Sequence, residues 1–127
     1  MHPVALRALA RLFAGSDPLV IAIQNVAEFW NAATRPLAVN GLGMTIDQVR
    51  GEVKRLEGFF EIVSESADSY TAWKALVTTH RVSGAQVHGA RLAAVMTASG
   101  ITRILTFNVR DFIRFSGIEA IHPEQIA

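Results

Sequence analysis

Three oxygen-bearing side chains stand where an α/β chain would do its chemistry. Glu28 follows the apolar run Pro18–Ile23, PLVIAI, while Asn108 and Asp111 follow another, Ile101–Thr106. If both runs are strands of a parallel sheet, all three residues lie beyond carboxyl ends, where such sheets meet their ligands. Each also has a structural reading. Glu28 is three residues after Asn25, and Asp111 three after Asn108, the spacing of reciprocal helix caps. Other chemistries find no support. The sequence holds no phosphate-binding glycine loop, dinucleotide fingerprint, nucleophile elbow or paired-histidine zinc motif. His2, His80, His88 and His122 are scattered, and the chain has no cysteine to serve as a thiolate ligand or disulfide.

The elements that must position these residues follow from hydrophobic period. Leu6, Leu9 and Phe13 recur at helical spacing, with Gly15 as a C-cap. Pro18–Ile23 is short, continuous and β-branched, which predicts a strand buried on both faces. Asn25 is expected to cap a helix that runs to Thr34 and stops before Pro36. The segment Arg35–Met44, with Asn40-Gly41 and Gly43, reads as a loop. Thr45 and Gln48 form a capping-box pair ahead of a helix with Ile46, Val49, Val53 and Leu56 on one face, ended by Gly58. Phe59–Val63 is a second strand, and Tyr70, Trp73, Leu76 and Val77 mark a further helix. After a loop at Ser83–Gln86, an Ala-rich helix spans Val87–Ser99 and ends at Gly100. Ile101–Thr106 is a third strand, Asp111–Phe115 a short helical turn and Ile118–Ile121 a fourth strand. Strands alternating with helices predict an α/β domain with a mainly parallel sheet. Phe29, Trp30, Trp73 and Phe112 are read as core, and Thr106 and Asn108 as residues that shape a turn.

The 127 residues suit one domain, and an apolar half with only 18% charged residues excludes a disordered tail. Mean hydropathy is +0.29, yet no apolar run reaches the roughly 18–20 residues of a membrane span. A hydrophobic signal core is absent too, so neither membrane insertion nor export is expected. The lack of cysteine suits a reducing cytoplasm. Twelve bases against eleven acids leave a net charge of +1, so no global field attracts nucleic acid. All but two of the bases are arginine, the better planar clamp for phosphate.

Four segments together resemble the PIN domain, in the branch that includes toxins of type II toxin–antitoxin pairs. They are EFWNAATRP (Glu28–Pro36), NGLG (Asn40–Gly43), VSGAQVHGARLAA (Val82–Ala94) and GITRILTFNVRDF (Gly100–Phe112). The resemblance runs in order over nearly the whole chain. It implies a single domain, residues 1–127, folded as a three-layer α/β sandwich with strand order 3-2-1-4-5. It also implies an endoribonuclease dependent on Mg²⁺ or Mn²⁺, with acids gathered at the carboxyl edge of the sheet. Phosphodiester hydrolysis needs a hydroxide nucleophile and charge neutralisation, and hard divalent ions held by oxygen ligands supply both. Crowded carboxylates repel one another unless a cation sits among them.

Residue by residue, the resemblance makes Glu28 the acid that holds a metal-bound water. Asn108 and Asp111 match the TxNxxDF form of the last motif, with Asp111 as its carboxylate. Gly89, in HGARL, stands where the family carries Asp and offers no ligand. The family's first strand and first Asp have no counterpart, because the chain opens within the helix that would follow them. A central strand would bury four or five apolar side chains at about 1.5–3 kcal/mol each, a sum that rivals a domain's stability of about 5–15 kcal/mol. The expectation is a central strand missing from the sheet and a gene whose start lies upstream. Arg35 and Arg91 are placed to meet RNA phosphates, whereas Arg50, Arg55 and Arg81 belong to a solvated surface and His88 is structural.

The function this implies is a toxin-type, metal-dependent ribonuclease relative whose catalysis is impaired, two of the family's metal-holding acids being absent. The alternative is a non-catalytic interaction module that binds an antitoxin or an active PIN subunit; a third is a decaying gene product without function. Expected partners are a cognate antitoxin, RNA if the chain is active, and a second copy of the chain, through the apolar helix faces at Leu6–Phe13 and Ile46–Leu56.

Overall fold

Hydrophobic alternation is realised as short parallel strands separated by helices. The computed structural model describes residues 3–126, which form five α-helices and four three-residue strands; His2 lies outside the described residues. They make up two compact units, one of Pro18–Ser64 and one that joins the residues up to Asp17 with those from Glu65 onward.

In the unit 18–64, β1 (Val20–Ala22) pairs in parallel with β2 (Glu61–Val63), Val20 opposite Glu61. The Leu19 carbonyl accepts from the Glu61 N–H at 3.1 Å, extending the pairing by one position. Helix α2 (Ile23–Thr34) follows without a loop. The strand is therefore shorter than the apolar run, and Ile23 is helical. Asn25 is not the N-cap. Ala22 is, and the Asn25 side chain reaches back from the third helical position to accept the Ala22 N–H at 2.8 Å. As an N-cap, Asn25 would accept an N–H two or three residues ahead; from inside the first turn it accepts the cap residue's N–H behind it, so the helix starts earlier than the Asn suggests.

After Thr34 the chain makes a single 3₁₀ turn, Leu37–Val39, and a left-handed Asn40. It then folds back on the end of α2, where Leu42 and Met44 N–H groups donate to the carbonyls of Ala32 (3.2 Å) and Ala33 (2.9 Å). Gly41 sits in the crook: a Cβ there would lie 2.0 Å from the Arg35 carbonyl oxygen. Helix α3 (Ile46–Phe59) opens with the anticipated reciprocal cap, the Gln48 N–H donating to Thr45 Oγ1 at 3.1 Å and the Thr45 N–H to Gln48 Oε1 at 2.9 Å. It runs one residue past Gly58 and ends on an extended Phe60 whose N–H returns to the Leu56 carbonyl. Val49 is fully buried.

The other unit begins with α1 (Pro3–Phe13), closed by a Gly15 N–H bond to the Leu12 carbonyl at 3.1 Å. Helix α4 (Ala67–Thr79) is capped by Ser66 and Ser69 acting reciprocally. Helix α5 (Val87–Ser99) ends at a left-handed Gly100, as its sequence predicts. Strands β3 (Arg103–Leu105) and β4 (Glu119–Ile121) pair in parallel. The core gathers Ala90, Ala93, Phe112 and Phe115, with Trp73, Leu76, Val77, Ile104 and Ile118 packed against it. Trp73 and Phe112 are thus core residues, and the Trp73 indole N–H donates to the Val87 carbonyl at 3.1 Å, tying α4 to the start of α5. The helical turn expected at Asp111–Phe115 is instead a 3₁₀ turn at Val109–Asp111.

The chain is a mixed α/β protein whose strands all pair in parallel, first with second and third with fourth. Among the described residues no helix is long and apolar enough to cross a membrane. Two glycines should respond oppositely to alanine. Gly41→Ala forces a backbone clash and should lower stability by about 1–3 kcal/mol. Gly51→Ala, in α3 with nothing within 4 Å of the new methyl, should raise it by about 0.8–1 kcal/mol. Denaturation midpoints check both.

Candidate functional site

The site is built at the carboxyl end of β3. The Thr106 N–H donates to the Ile121 carbonyl at 3.0 Å, continuing the ladder one step beyond the strand. Thr106 then turns the chain: its Oγ1 accepts the Asn108 N–H at 3.0 Å, and the Asn108 carbonyl accepts the Asp111 N–H at 3.1 Å. A threonine hydroxyl that bonds two residues ahead starts the turn early, which is why the helical turn falls at 109–111 and not at 111–115. The Asn108 side chain makes no cap; its carbonyl does that work. Asp111 is left exposed at the end of the turn.

Gly89 lies in the first turn of α5 and faces Asp111. A Cβ at position 89 would stand 3.9 Å from both the Cβ and the carbonyl oxygen of Asp111, an ordinary contact. Two positions separated by more than twenty residues, both singled out in the sequence, are therefore neighbours. A side chain at 89 could thus begin beside Asp111 without displacing the backbone.

The remaining sequence-derived candidates have other surroundings. Glu28 is exposed in the middle of α2 and accepts from Gln24 Nε2 at 3.0 Å, a bond between successive helical turns. Its three-residue spacing from Asn25 has no capping role, because Asn25 is already inside the helix. Arg35 is half-buried just after α2, where its Nη2 reaches the Asn40 carbonyl at 3.4 Å and its carbonyl receives the Gly43 N–H at 2.8 Å. Its Nε is buried without a hydrogen-bond partner. His88 is exposed on α5.

Arg91 is engaged by Glu65, which the sequence did not announce. The guanidinium forks onto the carboxylate, Nε to Oε1 and Nη2 to Oε2, the latter at 2.8 Å. This hydrogen-bonded pairing holds the Glu65 carboxyl below the usual range, against a smaller opposing effect of burial. The partners are 26 positions apart in sequence, so no local pattern links them. Glu65 and Arg91 line a cavity of about 300 Å³ with Ser66, Ser69, Tyr70 and Trp73. In the unit 18–64, Trp30, Arg50 and Lys54 line a broader groove together with Asp47 and Glu57.

Position 89 contributes no side-chain oxygen, so Asp111 is the carboxylate at this meeting point. Among the described residues no three His, Cys, Asp or Glu side chains gather as a metal-holding group. Mg²⁺ gives up its waters reluctantly and needs such charge to be held. No protein-family model matches the chain, and no curated protein matches it.

The Glu65–Arg91 pair carries a pH signature. A carboxyl lowered in the folded state adds stability that is present above its unfolded value of 4.5 and is lost as pH falls through the folded value. Glu65→Gln should therefore flatten the acid limb of a stability-versus-pH curve. As both partners are partly solvated, the difference near neutrality should be below about 1 kcal/mol.

Proposed function

We propose that this chain is a PIN-type, toxin-class ribonuclease relative that engages RNA at the carboxyl edge of its parallel strands and cleaves it poorly. The observation that carries this reading is the meeting of Gly89 and Asp111. The resemblance assigns acids to both positions, and they face each other at the end of a parallel strand, where a carboxylate pair would hold a cation. The strand pairings fit as well: an order of 3-2-1-4-5 without its first strand leaves the neighbours 2–3 and 4–5, matching the two pairs present. In this reading the three-layer sandwich is the parent architecture, and Mg²⁺ or Mn²⁺ the cofactor of the intact family site. The loss at position 89 removes one oxygen ligand and one negative charge, and with them most of the cation affinity.

A second reading, an interaction module for an antitoxin or another PIN subunit, is favoured by the apolar loop after α2. Leu37 is 77% exposed there, and Val39 and Leu42 are more than half exposed.

Titration with Mn²⁺ tests the main reading. The natural chain should bind weakly and show no EDTA-sensitive RNA cleavage. Gly89→Asp should tighten Mn²⁺ binding roughly tenfold, about 1.4 kcal/mol, without full activity. The gain should vanish in the double variant Gly89→Asp, Asp111→Asn. A Gly89→Asp chain that folds but binds Mn²⁺ no better would overturn the assignment, and strong cleavage by the natural chain would overturn its impairment.

A further inference from the structure

The cavity beside the Glu65–Arg91 pair is furnished with groups that the strand ends do not use. Its lining residues, Glu65, Ser66, Ser69, Tyr70, Trp73 and Arg91, all lie in one compact unit of the chain. A volume of about 300 Å³ is the lower end of the range for small-molecule sites, room for one fused ring system. Tyr70 and Trp73, one turn apart on α4, form an aromatic wall with ring centroids 6.2 Å apart and planes inclined at 32°. Tyr70 is 61% exposed. Trp73 offers only its ring, because the indole N–H is spent on the Val87 carbonyl. Ser69 is spent as well: its Oγ donates to the Ser66 carbonyl at 2.9 Å and accepts the Ser66 N–H at 2.7 Å.

Charge and hydrogen bonding then narrow the ligand. The Glu65 carboxylate and the Arg91 guanidinium stand together and offset each other, so an anion meets the acid and a cation meets the base, while a neutral ring meets neither penalty. The Arg91 fork also covers the two-oxygen face of the carboxylate, Nε to Oε1 and Nη2 to Oε2. Each oxygen keeps a second acceptor position, so Glu65 can take a single N–H but not a side-by-side pair. The hydroxyls of Ser66 and Tyr70, on the same cavity, are able to donate. One amino donor next to a ring-nitrogen acceptor is the edge of adenine. Guanine brings two adjacent donors that need the face Arg91 has taken, and cytosine brings a smaller ring to the aromatic wall.

We infer that this cavity binds an adenine base, stacked on Tyr70 and held through its amino group by Glu65, with Arg91 as the positioning residue that fixes the carboxylate. The site shares no residue with the Gly89–Asp111 meeting point and needs no cation, so it goes beyond the ribonuclease reading and stands apart from it. The base can come from a free nucleoside or from an unpaired position in a strand; the recognising chemistry is the same.

Isothermal titration of the full chain with adenosine, guanosine and purine riboside, the last lacking the amino group, tests this. Adenosine should bind roughly tenfold more tightly than either of the others, the scale of one hydrogen bond to a charged group. Tyr70→Ala, at an exposed position, should weaken adenosine and purine riboside alike by roughly tenfold, the loss of one stacked base. Glu65→Ala should instead erase the preference for adenosine over purine riboside, a change in selectivity that loss of a structural ion pair would not give. Oligoadenylate in EDTA separates the two sources: binding tighter than that of adenosine, and weakened in Tyr70→Ala, assigns the site to a strand, and equal binding assigns it to the free nucleoside. Adenosine bound no more tightly than purine riboside by the natural chain, or bound equally well by Tyr70→Ala, would overturn the inference. Oligoadenylate binding that survives both substitutions unchanged would overturn it too, while leaving the RNA reading standing.

Discussion

Close approach of α5 to the segment after β3 rests on alanine. Ala90 and Ala93 have no exposed surface and meet Phe112 and Phe115 in the core. The small side chains leave room for the two rings, and the first turn of the helix comes beside Asp111. Larger residues at 90 or 93 would push the helix away, at a cost typical of overpacked cores. Trp73 fixes the other side, donating to the Val87 carbonyl at the helix start. The distance between positions 89 and 111 is thus a consequence of core volume, and the chemistry of the site follows from that distance.

What glycine does at position 89 is electrostatic as much as steric. Two carboxylates at that separation would repel unless a cation lay between them, and the folded state would then depend on the ion. With glycine the turn needs no such partner. The edge carries its strand ends, the exposed Asp111 carboxylate and the aromatic pair Phe107–His122. Arg91, two residues further along α5, is occupied by Glu65. The cation on the turn itself is Arg110, one residue before Asp111.

Local rules account for the helices better than for the strands. The reciprocal Thr45–Gln48 cap and the left-handed Gly100 are where the sequence puts them, because a cap is a contest among neighbours three residues apart. The same rule misplaced the start of α2. Asn25 can serve an orphan donor from outside the helix or from within its first turn, and its type alone does not say which. Strand lengths were overestimated, since an apolar run of six residues supplied a ladder of three. Ladder length depends on the partner strand, and the partner is distant in sequence.

Residue identities by themselves settled that the chain alternates strands and helices, that Asp111 follows a strand, and that position 89 brings no ligand. Each of these is a property of a side chain or of a few bonded neighbours. Only the folded chain decided that Gly89 faces Asp111, that Glu65 occupies Arg91 and that Phe107 meets His122. Those pairings join residues far apart along the chain. They are fixed by how much volume the core leaves between helix and strand, a quantity that no local pattern encodes.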